Sequence, residues 1–414
     1  MALSREERRN RFRTLVLQQV DGSVELSDED MRLLIERVIR DSAGDGIALS
    51  VKERRETKKD VFDSLRGLDV LQDFMEDPSV TEIMVNGPDG IFYEKDGCLY
   101  PAGRRFHDRK RLEDVIQKIA AGVNRVVNEA NPIVDARLPD GSRVNAVLPP
   151  VSLSGPALTI RKFPKDRITM DRLIAMESIT AEAAEYLKVL VRAGYNIFVS
   201  GGTGVGKTTF LNVLSDYIPP NERIITIEDS AELQISNIPN LVRMEMRNAN
   251  MEGNHAVTIR DLIKTSLRMR PSRIIVGEVR DAASIDMLQS LNTGHNGMST
   301  GHANSPADML SRLETMVLLG EDIPLLAIRK QIASAIDIII QLSRLRDKTR
   351  RVTEIVEVTA CVDGEIELNP LFRFSEEGED ENGRIIGKLG YLGRKLLKRG
   401  KLLAAGEGEC LPII

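Results

Sequence analysis

The chain has no tryptophan, and aromatic residues make up only 4% of its 414 positions. The basic, aromatic-rich strip that stacks single-stranded nucleic acid is therefore missing. Positive charge is not in excess either: 57 lysines and arginines face 62 acids, a net charge of −5. No global basic field draws the chain to nucleic acid. Cysteine is scarce. Cys98, Cys361 and Cys410 are scattered and odd in number, which suggests neither a disulfide framework nor a zinc site. No uninterrupted apolar stretch is long enough to span a bilayer. The first ten residues are charged, with no apolar segment behind them, so no signal peptide is expected. These absences point to a cytoplasmic protein, peripheral to any membrane it serves. There is no internal repeat and no low-complexity tract. What remains is an ordinary globular mix, 42% hydrophobic and 29% charged, with length for about two to three domains.

Residues 1–66 are dense in charge and carry helical spacing, as in Met31, Leu34, Val38 and Ile39, which reads as a helical N-terminal segment. Residues 67–163 alternate short strands with turns at Asn86-Gly87-Pro88 and Pro139-Asp140-Gly141 around a helix from about Arg111, which reads as an α+β domain. Residues 164–178 read as a linker. Residues 179–374 repeat a strand-then-helix pattern and read as an α/β domain. Its strands are expected at Ile197–Val199, Arg223–Ile227, Arg273–Val276, Gly297–Thr300 and Ile336–Gln341. Residues 375–414 read as a polar tail, basic and amphipathic around Lys395–Lys398, with a solvated helix or frayed end expected there.

One stretch organises the rest. Ile197-Phe198-Val199 is a short apolar run, and Gly201 opens the pattern that ends in Gly206-Lys207-Thr208. Phe210, Leu211, Val213 and Leu214 then give a helical period. Strand, glycine loop and helix are the context a P-loop needs. Backbone N–H groups of Gly202, Thr203, Gly204, Val205, Gly206, Lys207, Thr208 and Thr209 can cradle phosphates. Lys207 can reach the β- and γ-phosphates, and the Thr208 hydroxyl can hold Mg²⁺. ATP and Mg²⁺ are the expected ligands.

Three further clusters bear on chemistry. Glu228 and Asp229 follow an apolar strand, where ligands of open α/β sheets sit. They can hold a metal or orient water, or else cap a helix. Glu278 ends a second apolar strand and is the leading candidate to activate water, with Glu228 second. Glu278 and Asp229 join Thr208 as candidate metal partners. His295 and His302, two of the four histidines, lie in a Gly/Ser/Thr loop and are candidate γ-phosphate sensors. Finally Arg137, Arg143 and Arg161 lie upstream of the linker, where an arginine could complete an ATP site from another domain or subunit.

These four clusters, in this order, resemble the secretion and pilus ATPases of the type II/IV secretion superfamily. The segments are G-G-T-G-V-G-K-T-T (201–209), I-T-I-E-D-S-A-E-L (225–233), R-I-I-V-G-E-V-R-D-A (273–282) and T-G-H-N-G-M-S-T-G-H-A (293–303). Within the superfamily the chain is most similar to the CpaF-type ATPase of tight-adherence (Tad) pili. That similarity rests on D-P-S-V-T-E-I-M-V-N-G-P (77–88), D-A-R-L-P-D-G-S-R-V-N-A-V-L-P-P (135–150), L-T-I-R-K-F (158–163) and Q-I-A-S-A-I-D-I-I-I-Q (331–341). The related VirB-type type IV secretion ATPases are the alternative. The resemblance implies a RecA-like α/β domain, a homo-hexamer, inner-membrane platform proteins as partners, and ATP hydrolysis that powers assembly or secretion. Binding to nucleic acid is not expected.

Overall fold

The computed structural model describes residues 4–20, 26–42, 49–95, 97–163, 167–247 and 256–407. Residues 164–166 of the expected linker and Cys410 of the expected tail lie outside them. The chain divides into two compact units, Met1–Asp166 and Arg167–Ile414.

The first unit begins with three helices, α1 (Arg5–Gln19), α2 (Asp28–Asp41) and α3 (Val51–Arg66). Each starts at a serine. The hydroxyls of Ser4, Ser27 and Ser50 accept from the backbone N–H three residues on, satisfying one donor that a helix start leaves unpaired. Glu7 and Glu53 close the reciprocal bond to the capping serine. Apolar residues at helical spacing bring Phe12, Val16, Ile35, Val38, Ile39 and Val61 into one small core.

A short helix, α4 (Gln72–Glu76), leads into an antiparallel sheet. Its strands are β1 (Val80–Asn86), β2 (Ile91–Lys95), β3 (Cys98–Pro101), β4 (Ile133–Arg137), β5 (Arg143–Val147) and β6 (Ala157–Arg161), in the order β3-β2-β1-β6-β5-β4. The strand period of two sends Ile83, Val85, Val144, Leu158 and Ile160 to one face. There they pack with Leu112, Val115, Ile116 and Ile119 of α5 (Arg109–Gly122). The other face carries the three arginines in one row. Arg143 is the Cα partner of both Arg137 and Arg161.

The second unit starts with α6 (Met170–Ala175) and α7 (Ala181–Arg192). Its core is a parallel sheet of β7 (Ile197–Gly201), β8 (Arg223–Glu228), β9 (Asn240–Glu245), β10 (Arg273–Val276), β11 (Asn296–Gly301) and β12 (Ile338–Arg344). Within it β8 and β10 are buried on both sides and read as nearly continuous apolar runs, as parallel strands do, while β9 at the edge is partly exposed. On one face α7 and α8 (Lys207–Ser215) contribute Leu187, Leu190, Phe210 and Leu214. On the other lie α9 (Ile259–Ser266), α10 (Ala283–Asn292), α11 (Pro306–Leu318) and α12 (Leu325–Ala335), with Ile263, Leu288, Leu313 and Ile332 in a second core.

The chain beyond residue 374 is not the polar tail that its composition suggests. Three antiparallel strands extend the sheet: β13 (Arg350–Val362), β14 (Glu365–Glu379) and β15 (Ile385–Tyr391), giving the order β15-β14-β13-β12-β7-β11-β10-β8-β9. After β15 the chain docks back. Leu396 and Leu402, the latter on α13 (Gly400–Ala404), are buried in the core that contains α8. The fully buried Glu357 carboxylate accepts from the N–H groups of Leu397 and Lys398. Lys401 donates to Asp337 and to Gly194 O. Lysines and arginines are interleaved with the leucines of this stretch and hide two apolar anchors that are not on one helix. Leu402→Ala should therefore cost about 2–5 kcal/mol, as buried leucine truncations do. Urea unfolding checks it; a loss under about 0.5 kcal/mol, the range of surface changes, would mean the segment is not docked.

Candidate active site

Four neighbouring strands of the second unit, β7, β11, β10 and β8, point their carboxyl ends to one edge. Each delivers one expected group there: Lys207 after β7, His302 after β11, Glu278 after β10 and Glu228 at the end of β8. Ligands of open α/β sheets bind at this edge.

The loop after β7 turns directly into α8. Its cap, Gly206, has a left-handed backbone (φ 94°) that a side chain would strain. The helix thus begins at Lys207, with Thr208 and Thr209 in its first turn, and its unpaired N–H groups face the loop. Lys207 is buried. Its Nζ donates to Gly201 O (3.1 Å) and Gly202 O (2.8 Å) and lies 3.1 Å from His302 Nδ1. Burial pulls its ammonium below the usual lysine range, against the pull of Glu278.

His302 links the P-loop to the acids. Its Nε2 is 2.8 Å from Glu278 Oε1. The contact is one of charge and proximity, because that oxygen has no aligned hydrogen-bond donor. Burial, helped by the Lys207 charge, lowers the imidazole pKa below the usual histidine value. Arg280 Nη2 donates to Glu278 Oε2 (2.7 Å), and Nη1 lies 3.4 Å from Asp229 Oδ2. Burial works against ionising Glu278. The Arg280 bond and the charges of His302, Arg280 and Lys207 outweigh it, and its pKa falls below the ordinary glutamate value.

Glu228 stands in a different environment. It is 2% exposed, and its Oε2 accepts from the N–H groups of Glu232 (2.6 Å) and Leu233 (2.8 Å). Its other oxygen, Oε1, is buried with no hydrogen-bond partner among the described residues. Burial dominates over the two backbone bonds and pushes its pKa to about 7. Gly277 makes room for it: a Cβ there would come within 3.0 Å of Glu228 Cγ.

The histidines divide. His302 is at the P-loop, but His295 precedes β11 and contacts Ser290 O and Thr293 Oγ1, each at 3.3 Å. A six-residue strand separates the two, roughly 20 Å at the usual rise. The expectation that His295 could sense the γ-phosphate is thus corrected. Arg137, Arg143 and Arg161 belong to the first unit, on β4, β5 and β6. Arg137 also donates to Gly141 O (3.2 Å) and lies over Phe163. Arg280 was not among the expected site residues. Its signal was a single exposed cation two positions past Glu278, which spacing alone does not separate from a surface charge.

The Mg²⁺ expectation passes a test on the donors present. Thr208, Glu278 and Glu228 offer hard oxygens, and the orphaned Oε1 of Glu228 leaves a buried acceptor unfilled. Asp229 fits less well: it is turned to Arg280 and to the N–H of Ser230. Among the described residues no group of three or more His, Cys, Asp or Glu side chains could hold a metal by itself. A metal here would rely on the threonine, the phosphates and water.

Residues 65–384 match the family model described as type II/IV secretion system protein. The chain belongs to this family. It is an ATP-hydrolysing enzyme of the P-loop class. A putative conjugal transfer protein of Mycobacterium tuberculosis is 36% identical over 298 residues, spanning 70% of this chain and 84% of that protein. The type IV secretion system protein PtlH of Bordetella pertussis is 32% identical over 315 residues, spanning 70% of this chain and 93% of its own. Among solved structures, the pilus retraction motor PilT with bound ADP is 21% identical with a TM-score of 0.51, covering 73% of this chain and 81% of that one. That likeness supports the RecA-like fold of this family member. Among the described residues no helix is long and apolar enough to cross a membrane.

Proposed function

We propose that this chain is the ATP-driven motor of a type IV secretion or conjugal-transfer machine. It works as a homo-hexamer on the cytoplasmic face of the inner membrane, against membrane platform proteins. The observation that carries the ATPase part is the line from Lys207 through His302 to Glu278 at adjoining strand ends. The names of the relatives, conjugal transfer and type IV secretion, favour this machine over the tight-adherence pilus that the sequence motifs suggest. Deleting the gene and scoring conjugative transfer or effector export against surface pili tests it. Loss of pili with export intact would reverse the preference.

The geometry supports the following roles. The P-loop N–H groups and Lys207 hold the β- and γ-phosphates. Mg²⁺ held by Thr208 and Glu278 would neutralise phosphate charge. Glu228, poised near pH 7, takes a proton of the attacking water while the water oxygen bonds to the γ-phosphorus and the bond from that phosphorus to the β–γ bridging oxygen breaks, releasing ADP and inorganic phosphate. Glu278, kept ionised, orients that water and holds His302. Arrival of a γ-phosphate draws Lys207 away from His302, so the histidine reports occupancy.

The three arginines serve a neighbouring subunit's ATP. What supports this is their alignment in one row on the face opposite the first unit's core. Mixing Arg143→Ala with Lys207→Ala subunits tests it. If sites are shared, some interfaces regain one good copy of each residue, and activity partly returns. No recovery in mixed rings confirmed by mass would remove Arg143 from the role.

A further inference from the structure

The β12–β13 hairpin carries a charge arrangement that fold stability does not explain. The strands turn at Leu345–Thr349, where the Leu345 N–H donates to Thr349 O (2.8 Å) and the Lys348 N–H to Leu345 O (2.9 Å). The turn is pinned from two sides. Asp347 accepts from Thr349 and from the N–H of Ile385 on β15. Arg346 pairs with Glu376 and Glu379 on β14. Within this fixed frame Arg344 and Arg350 are direct Cα partners. Both are exposed, and among the described residues neither side chain has an ion pair or hydrogen bond. Like charges directly opposite on a ladder are destabilising. The carboxylates near them are engaged: Glu376 and Glu379 with Arg346, Glu354 with Arg373, and Glu177 with Arg351 and Arg384.

The pair sits beside the P-loop. A Cβ placed on Gly206 would lie 3.9 Å from Arg350 Cδ. Gly206 is the cap of α8, immediately before Lys207. The Arg350 stem therefore lies against the loop that holds phosphate, and its guanidinium begins one bond further on. Leu342 and Val352, the next pair inward on the same face, share the core of Phe210 and Leu211 on α8, so this face of the hairpin is the α8 face.

We propose that Arg350, backed by Arg344, is a phosphate clamp for the nucleotide bound to the P-loop of the same chain. A planar guanidinium fork suits two phosphate oxygens, and an unpaired cation is the form such a site takes before its anion arrives. Bound polyphosphate would also relieve the Arg344–Arg350 repulsion. The inference rests on the P-loop reading, and it differs from the role of the three arginines of the first unit: this cation acts within its own subunit.

The test uses the full chain with ADP and magnesium chloride, read by titration calorimetry, together with KM for ATP. Arg350→Ala should weaken ADP by about tenfold and Arg344→Ala by about threefold, as exposed charge-assisted bonds do. Arg350→Lys should fall between wild type and Arg350→Ala, because the charge stays and the fork is lost. KM should follow the same order, and the differences should shrink at high salt. Binding of ADP by wild type and its loss in Lys207→Ala keeps the P-loop reading apart from this one. With those two results in hand, Arg350→Ala binding ADP within twofold of wild type overturns the clamp. Equal losses in Arg350→Lys and Arg350→Ala, with a lowered melting temperature, also overturn it by showing a structural role.

Discussion

Lys207→Ala should remove ATP turnover by about 10²- to 10³-fold or more, the cost of deleting one preorganised charge partner of a transition state. Two features make this the cleanest of the site variants. The ammonium is buried, yet among the described residues its hydrogen-bonding contacts are two loop carbonyls and a histidine, with no carboxylate bonded to it directly. Burial already works against its charge. Removing it takes a buried cation out of the folded state, so the melting temperature should not drop. Nucleotide affinity should fall together with turnover. Phosphate release near the wild-type rate from a folded Lys207→Ala protein would sink the active-site assignment as a whole. Collapse of the fold would point instead to a structural lysine, because the phosphate role predicts an intact protein that cannot use ATP.

The parts of the site written in local sequence were legible, and those that depend on strand order were not. The P-loop declares itself within a dozen residues: an apolar strand, a glycine turn and a helix with an apolar period. Glu228 and Glu278 were legible as acids at the ends of apolar strands. Strand order decides what happens next. β11 lies between β7 and β10, which places His302 between Lys207 and Glu278. His295, seven positions earlier, falls at the far end of the same strand. In a histidine-bearing loop, period alone does not say which end of a strand faces the ligand. Burial was the second hidden variable. Glu228 and Glu278 look alike in sequence, but one is sealed over Gly277 and the other is tied to Arg280. The far end of the chain failed for a third reason. Its lysines outnumber its anchors, and the carboxylates that receive it, Asp337 and Glu357, lie on the distant strands β12 and β13 or just before them. Arg350 was hidden in the same way, because its neighbour Gly206 is 144 positions upstream.

Glu228→Gln should lower kcat by about 10²- to 10⁴-fold while leaving ATP binding in place, the range for a lost general base. The change keeps shape, and the amide oxygen can still accept from the N–H groups of Glu232 and Leu233. The pH profile carries the sharper test. A base works when deprotonated, and burial sets the Glu228 pKa to about 7. Wild-type kcat should rise with pH through about 7 and level off above it, and this limb should vanish in Glu228→Gln. Stability runs the other way. A carboxyl whose folded pKa lies above its unfolded value contributes fully below the unfolded value, and that contribution is lost as pH rises through the folded one. Wild type should thus lose stability relative to Glu228→Gln between about pH 4.5 and 7. Glu278→Gln has a different signature. Its carboxylate is held ionised by Arg280 and His302, so it titrates below this window. That variant should lose rate by weakening the water-orienting link to His302, while its residual activity keeps the limb near pH 7. A dead Glu278→Gln beside a near-normal Glu228→Gln would return the water-activating role to Glu278, the residue that the strand-end motif alone favours.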